Sequence, residues 1–134
     1  MSEVSGNKKL KILVVEDNAL NAKFAEAVLK RLGYDVDFAI NGKIGVEKFL
    51  ENDYDLILMD IQMPVMDGLE ATRKIREYES QLGNNKHIPI LAVTAFAMEH
   101  DRENCLEAGM DEYLTKPYRP AQLEELIKMF FPGA

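Results

Sequence analysis

The feature that most constrains the fold is a short apolar run, Leu56–Met59, which ends abruptly on the carboxylate of Asp60. Four consecutive apolar residues between polar ones are typical of a strand that is buried on both faces, as the central strands of parallel sheets are. The segment that follows, residues 61–68, contains a proline and an Asp-Gly pair, which favour a turn. The pattern therefore predicts a buried strand with Asp60 at its carboxyl end, where open α/β sheets bind their ligands.

Similar runs recur along the chain, and segments with helical periodicity separate them. The predicted strands are residues 12–15, 36–40, 56–59, 88–93 and 112–115. The predicted helices follow Asn18, Asn41-Gly42 and Asp67, run from about Met98 to Ala108, and begin at Pro120. This alternation requires crossovers onto a parallel sheet that is covered on both faces. We therefore predict a doubly wound α/β domain with five strands in the order 2-1-3-4-5 and five helices.

The apolar positions of the first two helices predict which side chains are buried. In the first helix they are Leu20, Phe24, Val28 and Leu32, with Ala25 and Leu29 widening the stripe. In the second helix they are Val46, Phe49 and Leu50.

Charge and composition exclude several classes of protein. The net charge of −7 argues against nucleic acid as a direct partner, because neutralising phosphates requires a basic face. A single cysteine, Cys105, cannot form an internal disulfide and fits a reducing compartment. No apolar run approaches the roughly 20 residues that a membrane-spanning helix needs, and the polar amino terminus does not resemble a signal peptide. We therefore expect a cytoplasmic protein with no membrane segment.

Chemically active side chains follow four of the five predicted strands. They are Glu16 and Asp17 after the first, Asp60 after the third, Thr94 at the end of the fourth and Lys116 after the fifth. Because the first and third strands are neighbours in the predicted order, three carboxylates should converge. Crowded carboxylates repel one another unless a cation lies among them, and a site with so few ligands suits Mg²⁺ better than Ca²⁺.

A metal at this edge would allow Asp60 to act as a carboxylate nucleophile toward phosphorus. Lys116 would then neutralise charge on the phosphoryl oxygens, and Thr94 would donate a hydrogen bond to one of them. The predicted catalytic residues are therefore Asp60, Lys116 and Thr94.

Four blocks, ILVVEDN, LILMDIQMPVMDG, LAVTA and YLTKP, resemble in their order and spacing the receiver domain of two-component response regulators, which has a flavodoxin-like fold. The resemblance implies that Asp60 accepts the phosphoryl group and becomes a 4-aspartylphosphate. It implies that Asp17 and Asp60 ligate Mg²⁺ directly, that Glu16 acts mainly through water, and that the backbone carbonyl of Gln62 is a further ligand. It also implies boundaries, with the receiver domain at residues 11–131 between a disordered polar tail at 1–10 and a C-terminal tail at 132–134.

The same resemblance implies a switch and a class of partner. Thr94 and the aromatic residue Tyr113 would form the switch that alters the face made by the fourth helix, fifth strand and fifth helix, and the Lys116-Pro117 bond would be cis. Details of the blocks are similar to receivers of hybrid sensor histidine kinases, so the partner would be a sensor histidine kinase or a histidine phosphotransfer domain. Such a domain catalyses its own phosphorylation and dephosphorylation, and we do not expect it to be a multiple-turnover enzyme.

Two alternatives fit parts of the pattern. A phosphatase of the haloacid dehalogenase type also places a nucleophilic aspartate after an apolar strand, but it needs a second aspartate two positions later, where this chain has Gln62. A flavodoxin-like binding module would need a phosphate-cradling loop after the first strand, and the acidic residues Glu16 and Asp17 have the opposite charge.

Overall fold

The fold was obtained as a computed structural model that describes residues 9–83, 85–95 and 99–133. Its elements are β1 (Lys11–Val15), α1 (Ala19–Arg31), β2 (Asp35–Ala39), α2 (Gly42–Glu51), β3 (Leu56–Asp60), α3 (Gly68–Leu82), β4 (Ile90–Thr94), α4 (Glu99–Ala108), β5 (Glu112–Thr115) and α5 (Pro120–Phe130). Residues 1–8 of the tail expected at 1–10 lie outside the described residues. Met98, the predicted start of the fourth helix, also lies outside them. None of the helices in the described ranges is long and apolar enough to cross a membrane.

The five strands form one parallel sheet in the order β2-β1-β3-β4-β5, which confirms the predicted topology. Alternate side chains of the central strands enter two cores, one on each face of the sheet. In β3, for example, Leu58 faces the core under α1 and α5, and Met59 faces the core under α2 and α3. Because β1 and β3 are hydrogen-bonded neighbours, the residues that follow Val15 lie beside Asp60.

The predicted caps fix where the helices begin. Asn18 accepts hydrogen bonds from the backbone N–H groups of Leu20 and Asn21, and Asn41 caps α2 in the same manner. Asp67 accepts from the backbone N–H of Glu70 at the start of α3. Each such cap contributes about 1 kcal/mol to stability, and together they set the first turn of each helix at the carboxyl edge of the sheet.

Part of the burial predicted for the first two helices was wrong. Leu20 is 78% exposed and Phe24 is 42% exposed, and the buried residues of α1 are Ala25, Val28 and Leu29. Leu20 and Phe24 lie in the first two turns of α1, toward the carboxyl edge of the sheet, whereas the helix enters the core through Ala25, Val28 and Leu29. In α2, Leu50 is likewise 49% exposed, because Gly42, Gly45 and Val46 form its buried face.

A network of charged side chains joins α3 to the loops at the opposite, amino-terminal edge of the sheet. The guanidinium of Arg76 donates to the backbone carbonyls of Gly109 and Ile88, both at 2.9 Å. It also donates to the carboxylates of Glu79 at 2.7 Å and Asp111 at 2.8 Å. Glu79, which is buried, accepts in turn from the backbone N–H of Ile88. One arginine therefore links three separate segments of the chain.

Candidate functional site

Three carboxylates meet at the carboxyl ends of β1 and β3, as predicted. Glu16, Asp17 and Asp60 each offer an oxygen, and these oxygens lie within 4.8 Å of one another. Glu16 and Asp60 are buried, with exposed fractions of 8% and 6%, whereas Asp17 is exposed to solvent. We call these three residues the acidic cluster. Its carboxylate oxygens are hard donors of the kind that Mg²⁺ prefers, so the cluster can hold a metal ion.

Lys116 provides the cation of the site. Its Nζ lies 2.8 Å from Oε1 of Glu16 and 3.4 Å from Oδ1 of Asp60. The loop after β5 brings it there, because the backbone N–H of Lys116 donates to the carbonyl of Thr94 at the end of β4. Three ionised carboxylates and one ammonium leave two net negative charges, which one divalent cation would balance.

The environment of Asp60 disfavours its ionised form. Burial, the charge of Glu16 and a hydrogen bond with Glu16 together raise the pKa of Asp60 to about 7, against the opposing effect of Lys116. A cation bound to the acidic cluster would favour the ionised carboxylate and so lower the pKa of Asp60.

Thr94 and Tyr113 lie on adjacent strands. Thr94 is buried at the end of β4 and pairs in register with Thr115 of β5. Tyr113, half-buried two residues before Thr115, is therefore on the same face of the sheet as Thr94. The Lys116-Pro117 bond is cis, as the resemblance implied.

The loop after β3 folds back tightly on Asp60. The backbone N–H of Gly68 donates to the carbonyl of Ile61 at 2.8 Å, and a Cβ at residue 68 would overlap the carbonyl oxygen of Asp60. Only glycine fits there. Gln62 lies in this closed loop, with its side chain exposed.

Sequence reasoning missed a cavity of about 430 Å³ that opens beside the acidic cluster. Phe24 and Tyr118 are among the residues that line it, and their rings lie 5.2 Å apart at 59°. Burial and the nearby charge of Glu16 raise the pKa of Tyr118 to about 12, so its hydroxyl stays protonated. No sequence signal marked this cavity, because Leu20 and Phe24 at the start of the first helix were predicted to be buried.

The chain is similar to known receiver domains over most of its length. The family model described as the response regulator receiver domain matches residues 12–128. The chain is 47% identical over 132 residues to hybrid signal transduction histidine kinase I of Dictyostelium discoideum, covering 93% of this chain but 8% of that protein. It is 38% identical over 138 residues to histidine kinase 3 of Arabidopsis thaliana, of which it covers 13%. The chain thus spans a small part of these relatives.

Solved structures agree with this likeness. The receiver domain of the sensor histidine kinase PA1611 from Pseudomonas aeruginosa, with a magnesium ion in its active site cleft, has a TM-score of 0.83 and 43% identity over 93% of this chain and 99% of that chain. The receiver domain of Saccharomyces cerevisiae Ssk1, in a co-crystal with the histidine phosphotransfer protein Ypd1, has a TM-score of 0.88 and 32% identity over 92% of this chain and 90% of that chain. The topology, the acidic cluster and these likenesses agree, and the chain belongs to the response regulator receiver domain family.

Proposed function

We propose that residues 11–131 form a receiver domain that accepts a phosphoryl group on Asp60 from a partner phosphohistidine, in a Mg²⁺-dependent cytoplasmic phosphorelay. The observation that carries the proposal is the position of the Asp60 carboxylate, buried at the end of β3 between two further acids and Lys116. A carboxylate buried beside a second acid is unfavourable, and a phosphoacceptor site would account for one at this position.

The donor set fits Mg²⁺. Asp17 and Asp60 would hold the ion directly, Glu16 would act mainly through water, and the backbone carbonyl of Gln62 would complete the protein ligands. When bound, the ion would neutralise charge on the carboxylates and on the incoming phosphoryl oxygens.

The chain's own residues perform the transfer. The ionised carboxylate of Asp60 attacks phosphorus, the bond between phosphorus and the imidazole nitrogen breaks, and its electron pair stays on that nitrogen. The product is an acyl phosphate on Asp60. Lys116, whose Nζ is already 3.4 Å from Asp60, pairs with the negative phosphoryl oxygens, and the hydroxyl of Thr94 donates to one of them.

The phosphohistidine would be carried by a sensor histidine kinase or by a histidine phosphotransfer domain. His87, at the opposite edge of the sheet, contacts Asp111 at 2.7 Å and is remote from Asp60. The exposed Leu20 and Phe24 on α1, beside the cavity at the acidic cluster, offer an apolar surface for such a partner.

The test is to label the protein with acetyl phosphate, and separately with histidine-phosphorylated Ypd1, in Mg²⁺ and in EDTA. We expect one phosphate per chain on Asp60 in Mg²⁺ and none in EDTA, as measured by intact mass and peptide mapping. Asp60→Asn should abolish labelling, whereas Asp53→Asn, which removes an exposed carboxylate remote from the site, should leave it unchanged. A full equivalent of phosphate on Asp60→Asn would contradict the assignment.

A second experiment tests the proposed switch. Phosphorylation should draw Thr94 toward Asp60 and open room for Tyr113 to rotate inward, which changes the surface made by α4, β5 and α5. We expect Thr94→Ala to accept phosphate yet show a reduced change in the NMR signals of the Tyr113 ring on adding beryllofluoride. Thr94→Ser keeps the hydroxyl and should retain the full change. An undiminished change in Thr94→Ala would rule out this coupling.

One hydrogen bond from Thr94 to a charged oxygen contributes about 1.5–3 kcal/mol. Complete conversion of a 1:99 mixture to 99:1 needs about 5.5 kcal/mol. Phosphorylation should therefore shift the Tyr113 population only in part, with Lys116, Mg²⁺ and a bound partner supplying the remainder.

A further inference from the structure

Asn41 and Gly42, which join β2 to α2, form the only Asn-Gly pair in the sequence. An asparagine is chemically labile when the next backbone nitrogen can reach its side-chain amide carbon. A glycine in the next position has no side chain to hinder that approach. Of all the asparagines in the chain, Asn41 is therefore the one whose sequence context most favours this reaction.

The fold requires each member of the pair for a separate reason. Asn41 is the N-cap of α2, and its side-chain oxygen accepts from the backbone N–H of Ile44 at 2.9 Å. Gly42 is buried, and a Cβ there would overlap the carbonyl oxygen of Met66 and lie 2.9 Å from that of Asp67. The cap requires a short polar side chain and the close approach requires glycine, so the packing of these two loops itself produces the labile pair.

The folded structure holds both reacting groups in hydrogen bonds. The nucleophile would be the backbone nitrogen of Gly42, whose N–H donates to the carbonyl of Met66 at 2.9 Å. The electrophile would be the amide carbon of Asn41, whose oxygen is bonded to the N–H of Ile44. The backbone carbonyl of Asn41 also accepts from the N–H of Gly45 at 3.0 Å. Reaction therefore requires the start of α2 to open locally, because both groups have to leave their partners before they can meet.

We propose that Asn41 is a site of spontaneous deamidation and backbone isomerisation, and that the contact between the loops after β2 and β3 suppresses the reaction in the folded domain. The nitrogen of Gly42 gives up its proton and forms a bond to Cγ of Asn41. The bond from Cγ to the side-chain nitrogen breaks, and that nitrogen takes up a proton and leaves as ammonia. Water then opens the cyclic imide that has formed. Opening at Cγ gives aspartate, and opening at the main-chain carbonyl gives isoaspartate, whose backbone runs through Cβ.

The two products should differ in their effect on the fold. Aspartate caps a helix about as well as asparagine does, so it should retain the first turn of α2. Isoaspartate adds one atom to the main chain and so moves the N–H of Gly42 relative to the carbonyl of Met66. Because Gly42 already packs against backbone atoms, the added atom has to displace the start of α2 or the loop after β3. One product therefore keeps the fold, and the other distorts it.

The test is to incubate the domain in mildly alkaline buffer, with and without enough urea to unfold it, and to follow each asparagine by peptide mapping. Fragmentation of the peptides distinguishes aspartate from isoaspartate. Asn18 is an internal control, since it also caps a helix through its side chain but precedes alanine. Asn41→Ser is a second control, because serine keeps a capping oxygen and has no amide, so neither product should form at residue 41.

We expect Asn41 to react faster than Asn18 in urea. In the folded domain the reaction of Asn41 should be slower than in urea by about 10- to 100-fold, because two hydrogen bonds have to open together. Equal rates in buffer and in urea would overturn the protection by the loop contact. A rate at Asn41 in urea no higher than that at Asn18 would overturn the assignment of the site.

A second measurement separates the two products. Chains deamidated only at Asn41 are isolated by ion exchange from the urea-treated protein, refolded, and compared by thermal unfolding with Asn41→Asp taken through the same treatment. Asn41→Asp should melt within about 2 °C of wild type, whereas the isolated chains should show an additional transition at lower temperature from those that contain isoaspartate. A single transition at the temperature of Asn41→Asp, with isoaspartate detected by mapping, would overturn the predicted distortion.

Discussion

Replacing Asp60 with asparagine is expected to raise the melting temperature of the metal-free domain by roughly 8–15 °C at pH 8. The carboxylate is buried beside Glu16, and burial together with the charge of Glu16 raises its pKa to about 7. Each unit of pKa difference between the folded and unfolded states corresponds to about 1.4 kcal/mol, so the ionised group lowers stability by about 2–4 kcal/mol. Asparagine has a similar shape and no charge. The measurement is thermal unfolding in EDTA.

The pH dependence of this effect has a definite sign. Because the folded pKa of Asp60 is raised, its contribution favours the fold below the unfolded pKa near 4 and is lost as pH rises to about 7. The advantage of Asp60→Asn should therefore grow from pH 4 to pH 7 and then stay constant. Asp53→Asn, at an exposed site, should show no such trend. A constant difference across this range would mean that the buried charge of Asp60 is not what destabilises the metal-free domain.

Magnesium should reduce the difference in stability between wild type and Asp60→Asn. A ligand that binds only the folded state stabilises it by about 2.7 kcal/mol at 100 times its dissociation constant. Wild type should gain this stabilisation, and Asp60→Asn should gain much less, because it lacks one carboxylate of the acidic cluster. If both proteins gained equally from Mg²⁺, Asp60 would not be a ligand.

Replacing Arg76 with alanine should destabilise the domain by about 3–5 kcal/mol, because it leaves the buried carboxylate of Glu79 without its cation. Its side chain is only 16% exposed, and its guanidinium also holds Asp111 and two backbone carbonyls. Since small domains have total stabilities of about 5–15 kcal/mol, this is a large fraction. Denaturant unfolding measures the loss.

Two variants distinguish the loss of the Arg76 hydrogen bonds from a general effect of removing a positive charge. Arg73→Ala removes an exposed arginine from the same helix and should change stability by less than about 0.5 kcal/mol. Arg76→Lys keeps the charge but not the planar fork of donors, so it should still lose a substantial part of the stability. Wild-type stability in Arg76→Lys would show that the hydrogen-bond geometry is unimportant.

The topology and the acidic cluster were predictable because local signals agree with the global fold. Asn18 and Asp67 cap their helices as predicted, and the apolar runs that end on Glu16 and Asp60 are neighbouring strands. Parallel strands bring their carboxyl ends to one edge, so residues 44 positions apart in the chain meet without any further information.

What could not be predicted depends on packing between distant segments. The helical period marks an apolar face of α1 but not which residues of that face contact the core, so Leu20 and Phe24 were wrongly expected to be buried. Arg76 and Asp111 are 35 residues apart, and neither carries a local pattern that points to the other. The positive φ of Val65, +71°, in the loop after β3 could not be predicted either, because valine does not signal such a backbone conformation.

The ion pair between Lys116 and Glu16, at 2.8 Å, bears on whether phosphotransfer can run backward. In the proposed reaction Lys116 turns toward the phosphoryl group, so the interaction it gains there is partly offset by the one it gives up with Glu16. In the unphosphorylated site, Lys116 already neutralises part of the negative charge of the carboxylates. Phosphorylation is therefore favoured less than it would be if Lys116 had no ion pair to give up. This exchange would keep the equilibrium constant of the proposed transfer closer to unity. We expect Glu16→Gln, which weakens the resting pair, to retain more phosphate on Asp60 when the dephosphorylated donor is added back.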